Sequence, residues 1–193
     1  MKQPVQLLLA SGSPRRAELL TQAGIRFRIC VTDIDESRLD GEEPEAHVRR
    51  LAVEKARTGL EICGPGLPSL GADTVVVLDG EMLGKPRDRE EAASMLKRLS
   101  GRTHQVLSAV ALAMPDGDAR DALNTTRVTF APLPEPFIEW YCQTEIPTDK
   151  AGAYAIQGAV GQYVSHIDGS YSGVMGLPLF ETCALLRAAG VLP

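Results

Sequence analysis

The tightest constraint on the fold lies at residues 7–20. Leu7-Leu8-Leu9-Ala10 runs into Ser11-Gly12-Ser13, and Pro14 then opens Arg15-Arg16-Ala17-Glu18-Leu19-Leu20. A short apolar run, a loop of small residues and a proline-led amphipathic stretch spell strand, tight loop, helix. Proline suits the first helical turn because its missing N–H has no partner there and its φ is already helical. N–H groups of the loop and helix start then gather at one spot with the forks of Arg15 and Arg16. Such a spot attracts an anion, phosphate above all, with Ser11 and Ser13 as candidate substrate contacts. Read alone, the same residues are no more than a serine-capped helix whose arginines are solvated.

The alternation continues downstream. Residues 27–31 read as a strand that empties into the acidic loop Asp33-Ile34-Asp35-Glu36-Ser37. Pro44 opens a helix in which Val48, Leu51, Ala52 and Ala56 recur at helical spacing, leaving Glu54 and Lys55 at the edge of the apolar face. The strongest strand signal is 70–78; Asp79-Gly80 is a two-residue hairpin turn, and Glu81-Met82-Leu83 is the return strand, ending at Gly84-Lys85-Pro86. Asp88 caps a helix with Ala92, Met95, Leu96 and Leu99 on one face and Gly101 at its end. Long strands are expected at 103–114 and 122–133 and a helix at 134–143. A glycine- and alanine-rich loop follows at 146–161, two short strands at 162–167 and 170–175, and a last helix from Pro178 to Gly190. His166 falls in the first of those short strands and reads as a solvated or satisfied imidazole.

Strands alternating with helices predict an α/β fold, and the hairpins make its twisted sheet mixed, with helices flanking it. At 193 residues the whole chain is expected to be a single domain with room for a subordinate lobe. A net charge of −5 argues against broad nucleic-acid or acidic-membrane binding, so any polyanion must be held by a local cationic cluster. Cys30, Cys63, Cys142 and Cys183 are far apart, and only three histidines accompany them. The reading is four reduced thiols, with neither a zinc site nor a disulfide framework. Lys2 and the apolar run after it hint at a signal peptide, but the run is short and Arg15 and Arg16 follow closely. No stretch is long enough to span a membrane. A cytoplasmic protein is expected.

Asp73 stands just ahead of Val75-Val76-Val77-Leu78, where a carboxylate loses hydration and requires a cation or hydrogen bonds. It either bonds to turn amides or serves metal binding or base catalysis. Glu36 follows a strand, where ligands gather in open α/β sheets, although an acidic loop is ordinarily solvated. Lys85, between Gly84 and Pro86, is carried on a stiffened backbone that can aim it at an anion. Taken together, Arg15, Arg16, Lys55 and Lys85 could neutralise a triphosphate, while Glu36 and Asp73 could hold a divalent cation and activate water. No G-x-x-x-x-G-K-[ST], G-x-G-x-x-G or G-x-S-x-G is present, which removes the P-loop, Rossmann and esterase readings.

At this point the chain resembles a known family. Ser11-Gly12-Ser13-Pro14-Arg15-Arg16, Glu54-Lys55-Ala56, Gly71-Ala72-Asp73-Thr74, Gly84-Lys85-Pro86, Leu99-Ser100-Gly101 and Gly176-Leu177-Pro178-Leu179 are similar, in order, to the motifs of the Maf nucleoside triphosphate pyrophosphatases. The resemblance implies a Maf/ITPase-like fold of two lobes around a central cleft, and cleavage of a nucleoside triphosphate to monophosphate and pyrophosphate. It also implies a divalent cation, Mg2+ or Mn2+, and a homodimer. Asp73 matches the family's proton acceptor, Arg15, Arg16, Lys55 and Lys85 its phosphate-binding positions, and Glu36 an acidic position associated with metal and water. Arg15, Thr74 and Gln157 match the branch that acts on dTTP and UTP. A branch acting on 7-methyl-GTP has tryptophan, glutamine and glutamate there, a trio suited to a cationic purine. The neutral amide of Gln157 can instead donate to and accept from a uracil or thymine edge. Ala155 stands where the family pattern has glycine, which matters if that position requires a positive φ. The rival readings are a septum-formation regulator that binds nucleotide or nucleic acid, and a purine triphosphate pyrophosphatase.

Overall fold

The computed structural model describes residues 5–145 and 149–193; Lys2 and residues 146–148 of the expected loop lie outside them. Strand β1 (Leu7–Leu9) is wholly buried and pairs in parallel with β2 (Phe27–Ile29) on one side and β3 (Ser69–Leu78) on the other. An interior parallel strand is covered on both faces, hence its unbroken leucines. With β4 (Glu81–Leu83), β5 (Thr103–Ala113), β6 (Ala119–Phe130) and β7 (Val164–Asp168) the sheet has seven strands among the described residues, six of them in the order β2-β1-β3-β5-β6-β7. β4 pairs antiparallel with β3, and β7 antiparallel with β6, so the sheet is mixed as expected. The helices are α1 (Pro14–Gln22), α2 (Pro44–Cys63), α3 (Arg89–Leu99), α4 (Glu135–Thr144), α5 (Tyr171–Met175) and α6 (Leu179–Ala188). No helix among the described residues is long and apolar enough to cross a membrane.

The chain divides into two compact units. The first runs up to Asp73 and includes Ser108–Asn124 and Gly176–Pro193; the second comprises Thr74–Leu107 and Thr125–Met175. In the first, α1 buries Leu19 and Leu20, while α2 buries His47, Val48, Leu51, Ala52, Lys55, Ala56 and Gly59 along one stripe. Glycine sets how near α2 comes to β3. A Cβ on Gly71 would collide with the Ala52 carbonyl and stand 2.5 Å from the Ala56 nitrogen, and one on Gly59 would collide with the Ser69 hydroxyl. Helix backbone thus lies directly on strand backbone. The C-terminus of α2 is tied to the segment after β2 by a Cys30–Cys63 disulfide, with Cα atoms 6.3 Å apart. This corrects the expectation of four reduced thiols. The two cysteines are separated by 33 residues, and only the packing of α2 beside β2 brings them together. Cys142 and Cys183 are free.

In the second unit the turn after β3 is as the sequence predicts: Asp79 and Gly80 both take positive φ, 53° and 81°, as a type I′ hairpin demands. Asp88 caps α3 by accepting the Glu91 N–H at 2.8 Å. Residues 170–175 depart from expectation, forming the helix α5 and not a strand. The Ser170 hydroxyl accepts the Gly173 N–H at 3.0 Å and its carbonyl accepts the Val174 N–H at 3.1 Å, a serine cap that outweighs the strand propensity of Tyr171 and Val174. His166 does lie in a strand, with its residue exposed, as expected.

The core of the second unit holds a ring cluster of His104, Phe130 and Tyr154, with centroids 5.0–5.5 Å apart and edge-to-face geometry. Nε2 of His104 shares a 2.7 Å hydrogen bond with the Tyr154 hydroxyl. Burial lowers the imidazole pKa to about 4 and raises that of the Tyr154 phenol. The folded state therefore keeps His104 neutral while the unfolded chain binds a proton below its ordinary value of 6.5. The stabilisation is complete above that value and is lost as pH falls toward 4, by up to about 3 kcal/mol. Urea unfolding at pH 7.0 and 4.5 checks this: the wild-type chain should lose more stability across the interval than His104→Gln. Equal losses would contradict it.

Candidate functional site

The first unit holds seven of the sequence-predicted residues: Ser11, Ser13, Arg15, Arg16, Glu36, Lys55 and Asp73. The loop after β1 carries Ser11, whose buried hydroxyl accepts the Ser13 N–H at 3.1 Å and the Arg16 Nη1 at 3.1 Å. Ser13 occupies the N-cap position of α1, and its own side chain makes no capping bond. Half-buried Arg16 also donates from Nε to the Gly176 carbonyl at 2.9 Å. Burial lowers its pKa, opposed by the charges of Asp73 and Glu36; as a guanidinium it remains a cation. Arg15, beside it at the start of α1, adds a second positive charge.

Asp73 sits within β3, two residues beyond Gly71 and so on the same face of the strand. Lys55, which the helical pattern placed at the edge of the apolar face, turns inward. Its Nζ reaches Asp73 Oδ1 at 2.7 Å and Glu36 Oε1 at 2.6 Å. Lys55 and Asp73 keep only 8% and 12% of their side-chain exposure, so each charge is held by its opposite; Glu36 keeps 43% and is the water-facing member. Two carboxylates drawn onto one ammonium can accept a proton, and the Arg15 and Arg16 guanidiniums beside them can attract an anion.

Residues 6–189 match the Maf-like protein family. The chain belongs to the Maf family. It is 54% identical over 180 residues to the dTTP/UTP pyrophosphatase of Escherichia coli strain K12, covering 93% of this chain and 91% of that protein. It is 51% identical over 185 residues to the dTTP/UTP pyrophosphatase of Symbiobacterium thermophilum, covering 96% and 94%. Among solved structures, the nucleoside-triphosphatase, dITP/XTP pyrophosphatase, of Mycobacterium abscessus aligns over 95% of this chain and 96% of its own. Its TM-score is 0.50 at 19% identity, a likeness of fold.

The second unit of this Maf chain carries the other sequence-predicted residues. Thr74 follows Asp73 in β3 and is half-buried; exposed Lys85 follows β4, next to the buried Pro86. Gly152 donates its N–H to the Gly84 carbonyl at 3.0 Å and lies against Val76, where a Cβ would come within 2.8 Å. The segment leading to Gln157 is thereby attached to the one that bears Lys85. Exposed Gln157 sits in a turn closed by the Gly158 N–H on the Ala155 carbonyl at 2.9 Å. Ala155 does not have the positive φ that the family pattern put in question; Gly152 and Ala153 do, each at 65°. Ala155 donates its N–H to the Tyr141 hydroxyl at 3.4 Å, which ties this segment to α4.

Two features escaped sequence reasoning. Gly176 stands in a family-like motif that by itself assigns it no role, and its carbonyl orients Arg16. The Arg50, Glu42 and His47 network beside the acidic loop carried no signal beyond ordinary surface charge. Replacing Gly71 by alanine should push α2 off β3 and separate Lys55 from Asp73. We expect about 2 kcal/mol of destabilisation in urea unfolding, with Gly66→Ala, where a Cβ meets open space, as the neutral control.

Proposed function

We propose that this Maf chain hydrolyses dTTP and UTP, and modified pyrimidine nucleotides with them, to the monophosphate and pyrophosphate, clearing unwanted nucleotides from the pool. The reading is carried by Asp73 and Glu36 converging on Lys55 beside Arg16, in a chain that is 54% identical to a dTTP/UTP pyrophosphatase. In this scheme a water attacks the α-phosphorus and passes its proton to the Asp73 carboxylate. The new bond is oxygen to α-phosphorus; the bond broken joins the α-phosphorus to the oxygen bridging it to the β-phosphorus, and pyrophosphate leaves with that electron pair. Lys55 orients Asp73 and Glu36, and it joins Arg15, Arg16 and Lys85 in countering the charge of the triphosphate. Ser11 holds the Arg16 fork and the Ser13 N–H in place, and the Ser13 hydroxyl, which makes no capping bond, contacts phosphate.

A divalent cation, Mg2+ or Mn2+, fits the donor set. Among the described residues no group of three or more His, Cys, Asp or Glu side chains could hold a metal alone. Mg2+ in nucleotide enzymes takes one or two carboxylates and completes its shell with water and substrate phosphate oxygens, and Asp73 and Glu36 are two carboxylates brought to one nitrogen. When bound, the cation would neutralise phosphate oxygens and favour ionisation of the attacking water.

For the base we assign Gln157 and Thr74, with Arg15 in place of the aromatic face a methylated purine would require. The single Maf-type domain is taken to act as a homodimer in the cytoplasm, where nucleoside triphosphates are held.

Pyrophosphate release from a panel of nucleoside triphosphates with Mg2+ tests the activity, with dTTP and UTP expected as the preferred substrates. Asp73→Asn should remain folded and lose at least 100-fold in kcat on dTTP; undiminished turnover would remove Asp73 as the base. An Arg15→Trp, Thr74→Gln, Gln157→Glu triple variant should lose its preference for dTTP. Selectivity lies elsewhere in the chain if the variant retains the parent's ranking of substrates.

A further inference from the structure

We propose that Arg50 is a positioning residue that fastens the acidic loop to α2 and so presents Glu36 to Lys55 and Asp73. The chain leaves β2, runs through residues 30–43 and enters α2 at Pro44, and along that course it is secured to α2 at successive heights. Cys30 is bonded to Cys63 at the C-terminus of the helix, Glu36 meets Lys55 in its second half, and the stretch from Ser37 to Glu42 meets Arg50 and His47 in its first half. The loop therefore runs back along the helix that follows it.

Arg50 is the centre of the last attachment. Its Nε and Nη2 grip the Glu42 carboxylate at 2.6 and 2.9 Å, and Nη2 also donates to the Ser37 carbonyl at 3.0 Å, one residue from Glu36. Nη1 reaches the Glu54 carboxylate at 3.3 Å, which holds the guanidinium on its own helix. Glu42 in turn accepts the Leu39 N–H at 3.1 Å and bonds to His47 Nδ1 at 2.9 Å, and only 7% of its side chain is exposed. The Arg50 hydrogen bonds, with His47 and the Leu39 amide behind them, hold the Glu42 carboxyl well below the usual carboxylate range. Within the loop, Asp35 accepts the Ser37 N–H at 2.8 Å, which shapes the backbone on either side of Glu36.

A fork that binds a carboxylate at two points and a carbonyl at a third fixes orientation as well as distance, which a lysine's single nitrogen does not. Glu36 is more exposed than either Lys55 or Asp73, so its geometry depends on the loop more than on core packing. Arg50 belongs to the same helix as Lys55, five residues before it. The helix thereby sets the position of the loop that brings Glu36 to its own lysine.

The inference rests on the proposed activity only for its kinetic readout. Amide hydrogen exchange over residues 33–43 in nucleotide-free protein should quicken about tenfold in Arg50→Ala, and partly in Arg50→Lys, which keeps the charge and loses the fork. In steady-state assays on dTTP, Arg50→Ala should lower kcat about tenfold with KM changed less than about twofold. In a Glu36→Gln background it should cost nothing further. Unchanged exchange would overturn the proposal, as would a kcat loss that multiplies with that of Glu36→Gln. Should Arg50→Ala fail to fold, Glu42→Gln removes the negative charge and one of the two oxygens that the fork grips while keeping its cation, and it is read by the same two measurements. If the wild-type protein releases no pyrophosphate from dTTP, the substrate reading fails and hydrogen exchange alone judges Arg50.

Discussion

The ammonium of Lys55, shared by Asp73 and Glu36, is the interaction on which the rest of the site depends. A lysine and an aspartate so little exposed would each be costly alone, and together each supplies what the other lacks. The pair exists because α2 can approach β3 until backbone meets backbone, and that approach requires glycine at position 71, on the strand face that also carries Asp73. A packing requirement and an electrostatic one are thus met by neighbouring residues of a single motif, Gly71-Ala72-Asp73-Thr74.

Around this pair the first unit uses long-range bonds to hold groups that local structure would leave mobile. Arg16 belongs to the first helical turn, yet its fork is aimed by the carbonyl of Gly176, 160 residues away, and by Ser11 in the preceding loop. Glu36 lies in a stretch with no regular structure and is held because that stretch is fastened along α2. In the second unit the same device recurs: Gly152 and Ala155 tie an irregular segment to Gly84 and Tyr141, which supports the turn that carries Gln157. Polar groups on flexible segments are therefore ordered by backbone hydrogen bonds to rigid elements, the condition for precise placement of catalytic or binding side chains.

The departures from sequence-based expectation have two origins, a local cap in one case and long-range packing in others. Residues 170–175 have the composition of a strand, but the Ser170 hydroxyl offers the Gly173 N–H a cap, and a short helix results. The cysteines show no spacing signal because the Cys30–Cys63 contact is made by two elements that meet only after α2 has packed. Lys55 reads as an edge residue on a helical wheel, since a wheel ranks side chains by polarity and is blind to a carboxylate waiting on the opposite strand. At Ala155 the concern was a forbidden φ, and the positive φ proves to lie at Gly152 and Ala153 instead.

What the sequence determined by itself is whatever short-range stereochemistry and periodicity control. The apolar strand at Leu7–Leu9, the Pro14 and Pro44 helix starts, the Asp79-Gly80 turn and the Asp88 cap were all legible, and so were the ordered motifs that carry the family resemblance. Tertiary structure alone decided which charges meet. Lys55 between Glu36 and Asp73, Arg16 on Gly176 and Arg50 on Glu42 and Ser37 depend on where strands and helices lie in space. A side chain's polarity says that it needs a partner, and only the packing of distant segments says which partner it finds.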